Sequence, residues 1–208
     1  MKFGGTSVGD VAAFERVFHV VSTQIEKRPV VVVSAMTKVT DALLNAFDIA
    51  KKGDFAQAFA SLEPHFERHV AVLDHFIPLA SQKPFKDELE FARAELSDLL
   101  MRVSRRSLPL QMLKDAIVSY GEQLSSRLLA EVLKAKGVPA RQMDSRRLIV
   151  TDDEYGAAQP IWNETEELLQ LELKPLISAG EVPILGGFIA ASKGGETTTL
   201  GRGGSDYT

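Results

Sequence analysis

Cysteine is absent from this chain of 208 residues, which excludes a disulfide framework, a thiol nucleophile and a cysteine-based zinc site and fits a reducing compartment. Basic excess is also missing. Lys and Arg total 24 against 28 Asp and Glu, a formal net charge of -4, so the chain lacks the clustered positive surface expected of a partner for nucleic acid or an anionic membrane. Its one basic cluster, Arg102 with Arg105-Arg106, is too short to reverse that. No apolar run approaches the length of a membrane span. Internal repeats and low-complexity linkers are lacking as well. Because a functional-looking loop begins at the second residue, no signal or transit peptide is expected, and the expected location is cytoplasmic.

Several catalytic signatures are missing too. Neither Gly-x-x-x-x-Gly-Lys-[Ser/Thr] nor Gly-x-Gly-x-x-Gly occurs, which excludes a Walker A loop and a dinucleotide fingerprint. There is no Gly-x-Ser-x-Gly elbow for a serine hydrolase. His65 and His69 stand four residues apart but lack the His-Glu-x-x-His order and a third ligand, so they read as a surface helix and no metal site is assigned. Asp152, Asp153 and Glu154 form an acidic loop of the kind that is usually solvated.

What the chain does contain is a glycine pair near each end. Lys2-Phe3-Gly4-Gly5-Thr6-Ser7 opens it, and Gly201-Arg202-Gly203-Gly204-Ser205-Asp206 closes it. Paired glycines let backbone N–H groups approach an anion where a Cβ would intrude, and each loop brings one cation, Lys2 or Arg202. Phosphoryl transfer fits this pattern; alone, either loop would also read as an ordinary turn. A guanidinium fork suits a carboxylate or phosphate held by two bonds, whereas lysine acts as a mobile point charge, so the cations could serve different anions.

Between the loops, strand and helix signals alternate. Met1–Phe3 leads through Gly4-Gly5 into a helix with Val11, Phe14, Val17, Phe18 and Val21 on one face, and Ser7 with Asp10 reads as its capping box. Val30–Ala35 is an unbroken apolar run suited to a central parallel strand, followed by Thr40 as the N-cap of a helix that Gly53 ends. A helical lobe is expected over about 54–110, then helix over 110–136, as one element or two joined. Short strands at 138–143 and 148–150, a helix at 162–178, a buried strand at 182–185 and a turn with β-rich residues at 194–200 complete the pattern. The expected class is α/β, a mostly parallel sheet flanked by helices, with one sizeable core or a core plus a small lobe.

Gly121 interrupts a helical pattern at a cost of about 1 kcal/mol relative to alanine, which signals a close approach. Glu122 beside it could bind an ammonium group, or be an ordinary solvent-facing glutamate.

Taken together, these strings resemble the aspartate kinases of the amino-acid kinase family. The resemblance rests on Lys2–Val8, Val33-Ser34-Ala35 with Thr40, Tyr120-Gly121-Glu122, Gly187-Phe188-Ile189 and Thr198–Asp206, in the right order over the whole chain. It implies the amino-acid kinase fold and ATP-dependent phosphorylation of the L-aspartate side-chain carboxylate, with Mg2+ as cofactor, at the entry to lysine, threonine and methionine synthesis. On that resemblance Lys2 and Asp206 are catalytic, Lys2 stabilising the transferring phosphoryl group and Asp206 orienting the cations. Gly4, Gly5, Thr6, Ser7, Gly203 and Gly204 would face the nucleotide phosphates. Ser34, Thr40, Phe188, Thr199 and Ser205 would line the substrate pocket, where Glu122 takes the ammonium and Arg202 the α-carboxylate. A homo-oligomer, a dimer, is also implied.

The family's nucleotide-binding remainder and ACT regulatory domains are not present in these residues. The expectation is therefore the N-terminal part of a catalytic domain, truncated at its C-terminal side and weakly active alone. A kinase of another acidic amino acid, or a non-catalytic aspartate-binding or assembly module, remain the alternatives.

Overall fold

A computed structural model describes residues 1–201 and 208. The loop residues Arg202, Gly203, Gly204, Ser205 and Asp206, to which the sequence assigns roles, lie outside the described residues. Among the described residues the chain runs β1 (Lys2–Phe3), α1 (Val11–Ser22), β2 (Val31–Val33), α2 (Val39–Lys51), α3 (Phe55–Ala60), α4 (Glu63–Phe76), α5 (Lys83–Arg105) and α6 (Leu110–Ala135). It continues through β3 (Ala140–Met143), β4 (Val150–Thr151), α7 (Trp162–Ser178), β5 (Val182–Gly186), β6 (Ile189–Ser192) and β7 (Thr197–Thr199).

Four strands form a wholly parallel sheet in the order β1-β2-β5-β3. The inner strands β2 and β5 are buried along their whole length, as an unbroken Val31-Val32-Val33 run requires when both faces are covered. A smaller second sheet has the order β4-β6-β7, with β6 and β7 antiparallel. Strand β6, Ile-Ala-Ala-Ser, carries little β-propensity and is not expected from the sequence pattern.

Helix α6 is one uninterrupted element, not two, and buries Val118, Leu124, Leu128, Leu129, Val132 and Leu133 against the parallel sheet and the helices around it. Gly137 follows it at φ +85°, and Gly53 follows α2 at φ +98°, both in the left-handed region that glycine adopts at helix ends. The prolines of the helical stretch begin elements instead of breaking them: Pro64 and Pro84 occupy the first turns of α4 and α5, where no N–H partner is lost. Phe66, Leu89 and Leu96 from that stretch share one buried cluster with Val31 and Val33 of the sheet.

Two capping expectations are corrected. Residues Gly5–Val8 form a 3-10 turn in which the Ser7 N–H donates to the Gly4 carbonyl, so α1 starts later and its cap is Asp10, whose carboxylate accepts from the Ala13 N–H at 2.8 Å. Helix α2 starts before Thr40. The Val39 N–H donates to the Met36 carbonyl, Lys38 at φ +67° serves as the N-cap, and Thr40 falls in the first turn. A third correction concerns the histidines: His69 is 1% exposed, a core residue and not a surface one.

Candidate active site

All four strands of the main sheet point the same way, so the loops after Phe3, Val33, Met143 and Gly186 gather at one end. The carboxyl ends of strands are where open α/β sheets bind ligands. Gly4, Gly5, Thr6, Ser7, Ser34 and Phe188, all singled out from sequence, lie on these loops, brought together from distant parts of the chain.

The first two loops are locked together. The would-be Cβ of Gly5 lies 2.9 Å from the Ala35 carbonyl oxygen, so only glycine fits there, and the Thr37 hydroxyl donates to the Gly5 carbonyl at 2.7 Å. Arg68 on α4 then spans both, donating to the Thr37 and Gly9 carbonyls at 2.8 Å each. Nothing in the local sequence marks Arg68. Its role arises only because α4 packs beside the strand ends, and a guanidinium can serve two carbonyls at once. Gly4 by contrast has no described atom within 4 Å of a Cβ position.

Helix α6 closes the floor. A Cβ on Gly121 would lie 2.7 Å from the Ala35 Cβ, which is the close approach that the glycine signals. The Ser125 hydroxyl donates to the Ser34 carbonyl at 2.8 Å, fixing the same loop one turn further on. Glu122 sits between these contacts, packed on Gly186, whose Cβ position would be 3.0 Å from the Glu122 Cβ. Its exposure is 4%, so the solvent-facing alternative is wrong. Burial raises its pKa to about 8, against the opposing effect of the Ala35 N–H that it accepts. One of its oxygens, Oε2, is buried with no hydrogen-bond partner among the described residues. An unsatisfied buried carboxylate oxygen is costly, and such groups concentrate where a ligand completes them.

The third loop carries backbone strain. Phe188 adopts φ +70°, rare for a bulky side chain, and is held there by the Gly187 N–H bonding to the Val33 carbonyl and by the Leu200 N–H bonding to its own carbonyl. Its N–H donates to the Thr208 hydroxyl at 3.2 Å. Lys38, at the end of the second loop, is the other positive-φ residue beside the site. Lys2 is exposed on β1, Thr6 is exposed, and Ser7 and Ser34 are partly buried.

Thr199 is engaged by Asp115. Its N–H donates to Asp115 Oδ2 at 2.9 Å, and its hydroxyl bonds to the same carboxylate. Asp115, 1% exposed, was not singled out by sequence, since an aspartate among helical residues carries no signal of its own. The histidines form no site. His69 Nδ1 donates to the His65 carbonyl at 2.7 Å, and burial lowers the His69 pKa to about 4. Among the described residues no group of three or more His, Asp or Glu converges to hold a metal ion.

Glycine-lined loops at the carboxyl ends of a parallel sheet, floored by a helix bearing a buried carboxylate, define an α/β protein with a candidate site for a small charged ligand at its strand ends. The chain belongs to the amino acid kinase family, whose profile matches residues 1–208. It is 34% identical to the lysine-sensitive aspartokinase 3 of Escherichia coli, over all of this chain and 44% of that protein. It is 32% identical to the chloroplastic aspartokinase 1 of Arabidopsis thaliana, over all of this chain and 36% of the relative. The crystal structure of E. coli aspartokinase III in complex with aspartate and ADP superposes with a TM-score of 0.89 at 32% identity, covering all of this chain and 44% of that one. The chain thus spans less than half the length of these relatives.

Proposed function

We propose that this chain carries the amino-acid-binding part of a kinase that transfers the γ-phosphoryl group of ATP to the side-chain carboxylate of L-aspartate. The observation that carries the reading is Glu122, a buried carboxylate with an unpartnered oxygen, set among glycine-lined loops at the strand ends. The E. coli neighbour solved with aspartate and ADP supports it.

In this reading Glu122 receives the substrate ammonium and Arg202 the α-carboxylate, while Ser34, Thr40 and Phe188 border the reacting carboxylate. That carboxylate is ionised at neutral pH and needs no general base. Its oxygen attacks the γ-phosphorus, the bond to the β-phosphate oxygen breaks, ADP leaves and an acyl phosphate forms. Lys2 and the amides of the Gly4-Gly5 and Gly203-Gly204 loops offset charge on the phosphates, and Asp206 orients the cations. Mg2+ would arrive bound to the nucleotide phosphates, as it commonly does. The proposal extends to a cytoplasmic dimer serving lysine, threonine and methionine synthesis, of which the lysine-sensitive E. coli relative bears on lysine alone.

Calorimetry with L-aspartate tests the reading directly. Aspartate binds, and Glu122→Gln weakens it more than tenfold; in an enzyme assay with the nucleotide site complete, Lys2→Ala lowers kcat at least a hundredfold with little change in aspartate KM. Unaltered aspartate affinity in the Glu122 variant would overturn the ammonium role.

A further inference from the structure

Asp115 lies outside every role assigned above, yet it is among the most engaged side chains of the molecule. From within α6 its Oδ2 accepts the Gly156 N–H at 2.7 Å and the Thr199 N–H at 2.9 Å, and its Oδ1 accepts from Gln111 Nε2 at 3.2 Å. The two backbone donors come from segments that also bond each other, the Ala158 N–H donating to the Thr199 carbonyl at 2.9 Å. Gly156 is at φ +88°, a backbone conformation that residues with side chains rarely adopt, and in it the N–H meets the carboxylate. Thr199 ends β7, and Leu200 and Gly201 lead directly into the glycine-arginine loop. Glu122 lies on the same face of the same helix, about two turns or ~10 Å further along.

We infer that Asp115 is a positioning residue: through the amides of Thr199 and Gly156 it fixes the exit of β7 at a set distance from Glu122, using α6 as the rigid spacer. This rests on the proposed aspartate site, whose ammonium acceptor is on α6 and whose carboxylate clamp follows β7. A carboxylate suits the task because a charged acceptor holds two backbone donors more strongly than a neutral one. Its burial raises its pKa, opposed by these same N–H donors. A helix spacer suits it too, since hydrogen-bonded helix is stiffer than the loops it joins.

The test uses Asp115→Asn, which keeps the shape and removes the charge, in the 208-residue chain. Amide hydrogen exchange should quicken at least tenfold at Thr199 and Gly156 while amides in the second half of α6 stay protected. Unchanged exchange at both amides overturns the inference. In the second arm, calorimetry compares L-aspartate with β-alanine, which keeps the ammonium and the reacting carboxylate but lacks the α-carboxylate. The variant should lose at least tenfold in aspartate affinity and little for β-alanine. Equal losses for both would mean general damage and overturn the positioning role. Should the unaltered chain bind neither compound, the aspartate reading fails by itself, and hydrogen exchange alone decides whether Asp115 holds β7. If Asp115→Asn does not fold, Asp115→Glu, which keeps the charge but displaces it by a methylene, is read in the same way.

Discussion

At the scale of single residues the site depends on groups whose ionisation is set by burial. Glu122 has a pKa near 8 in the fold against about 4.5 unfolded, so the folded chain holds more protons between those values and loses stability as pH rises through that window. His69 has the opposite sign. With a folded pKa near 4 against 6.5, it must stay neutral to remain buried, and stability falls as pH drops from 6.5 towards 4. From about pH 5 to 6 the two slopes nearly cancel, so urea midpoints are expected to be flat there and to decline most clearly between pH 6.5 and 8. Glu122→Gln removes that decline, which amounts to roughly 1–2 kcal/mol between pH 6.5 and 8. Bound ammonium would favour the ionised carboxylate, so aspartate binding at pH 7 releases close to one proton. Calorimetry in buffers of differing ionisation enthalpy measures it, and the release should vanish in the Gln variant. None of this was legible in sequence. The same Glu in a solvated helix would have an ordinary pKa, and its burial comes from tertiary packing, with Gly186 against its Cβ and the Ala35 N–H on its carboxylate.

At the scale of elements, α6 organises the candidate site: it touches the β2–α2 loop at Gly121, holds the buried Glu122 and bonds the end of β7 through Asp115. The 2.7 Å separation between a would-be Cβ on Gly121 and the Ala35 Cβ gives a direct prediction. Gly121→Ala gains helix propensity worth about 1 kcal/mol, but overpacking costs about 1–3 kcal/mol and pushes the Ser34–Thr37 loop away. The expected outcome is little net change or a modest loss in stability together with a large loss of aspartate affinity. Adding Ala35→Gly returns the space, and restored binding in the double variant is the check. Here the sequence was informative, because a glycine inside a strong helical pattern costs stability unless a neighbour needs the space. The cap positions were less so: Ser7 and Thr40 are good caps in isolation, yet the 3-10 turn at Gly5–Val8 and the Met36–Val39 turn moved both helix starts.

At the scale of the whole molecule, the helices between residues 55 and 105 do not stand apart energetically from the sheet. Leu96 and Leu100, both fully buried, belong to the same cluster as Val31 and Ile184. Cooperative unfolding as one unit is therefore expected, and Leu96→Ala should lower the single transition by about 2–5 kcal/mol without splitting it, whether followed by far-UV dichroism or by Trp162 fluorescence. Two separated transitions would mean a helical lobe that folds independently. Sequence alone determined the alternation of strands and helices, the buried parallel character of Val31–Val33, the glycine loops and the family, because hydrophobic period and glycine placement are local properties of the chain. Tertiary structure decided what Glu122, Asp115, Arg68 and His69 do. Their roles depend on burial, and those of Arg68 and Asp115 also on partners 31 and 84 residues away, Thr37 and Thr199. No local pattern encodes a desolvated carboxylate or the amides that meet it.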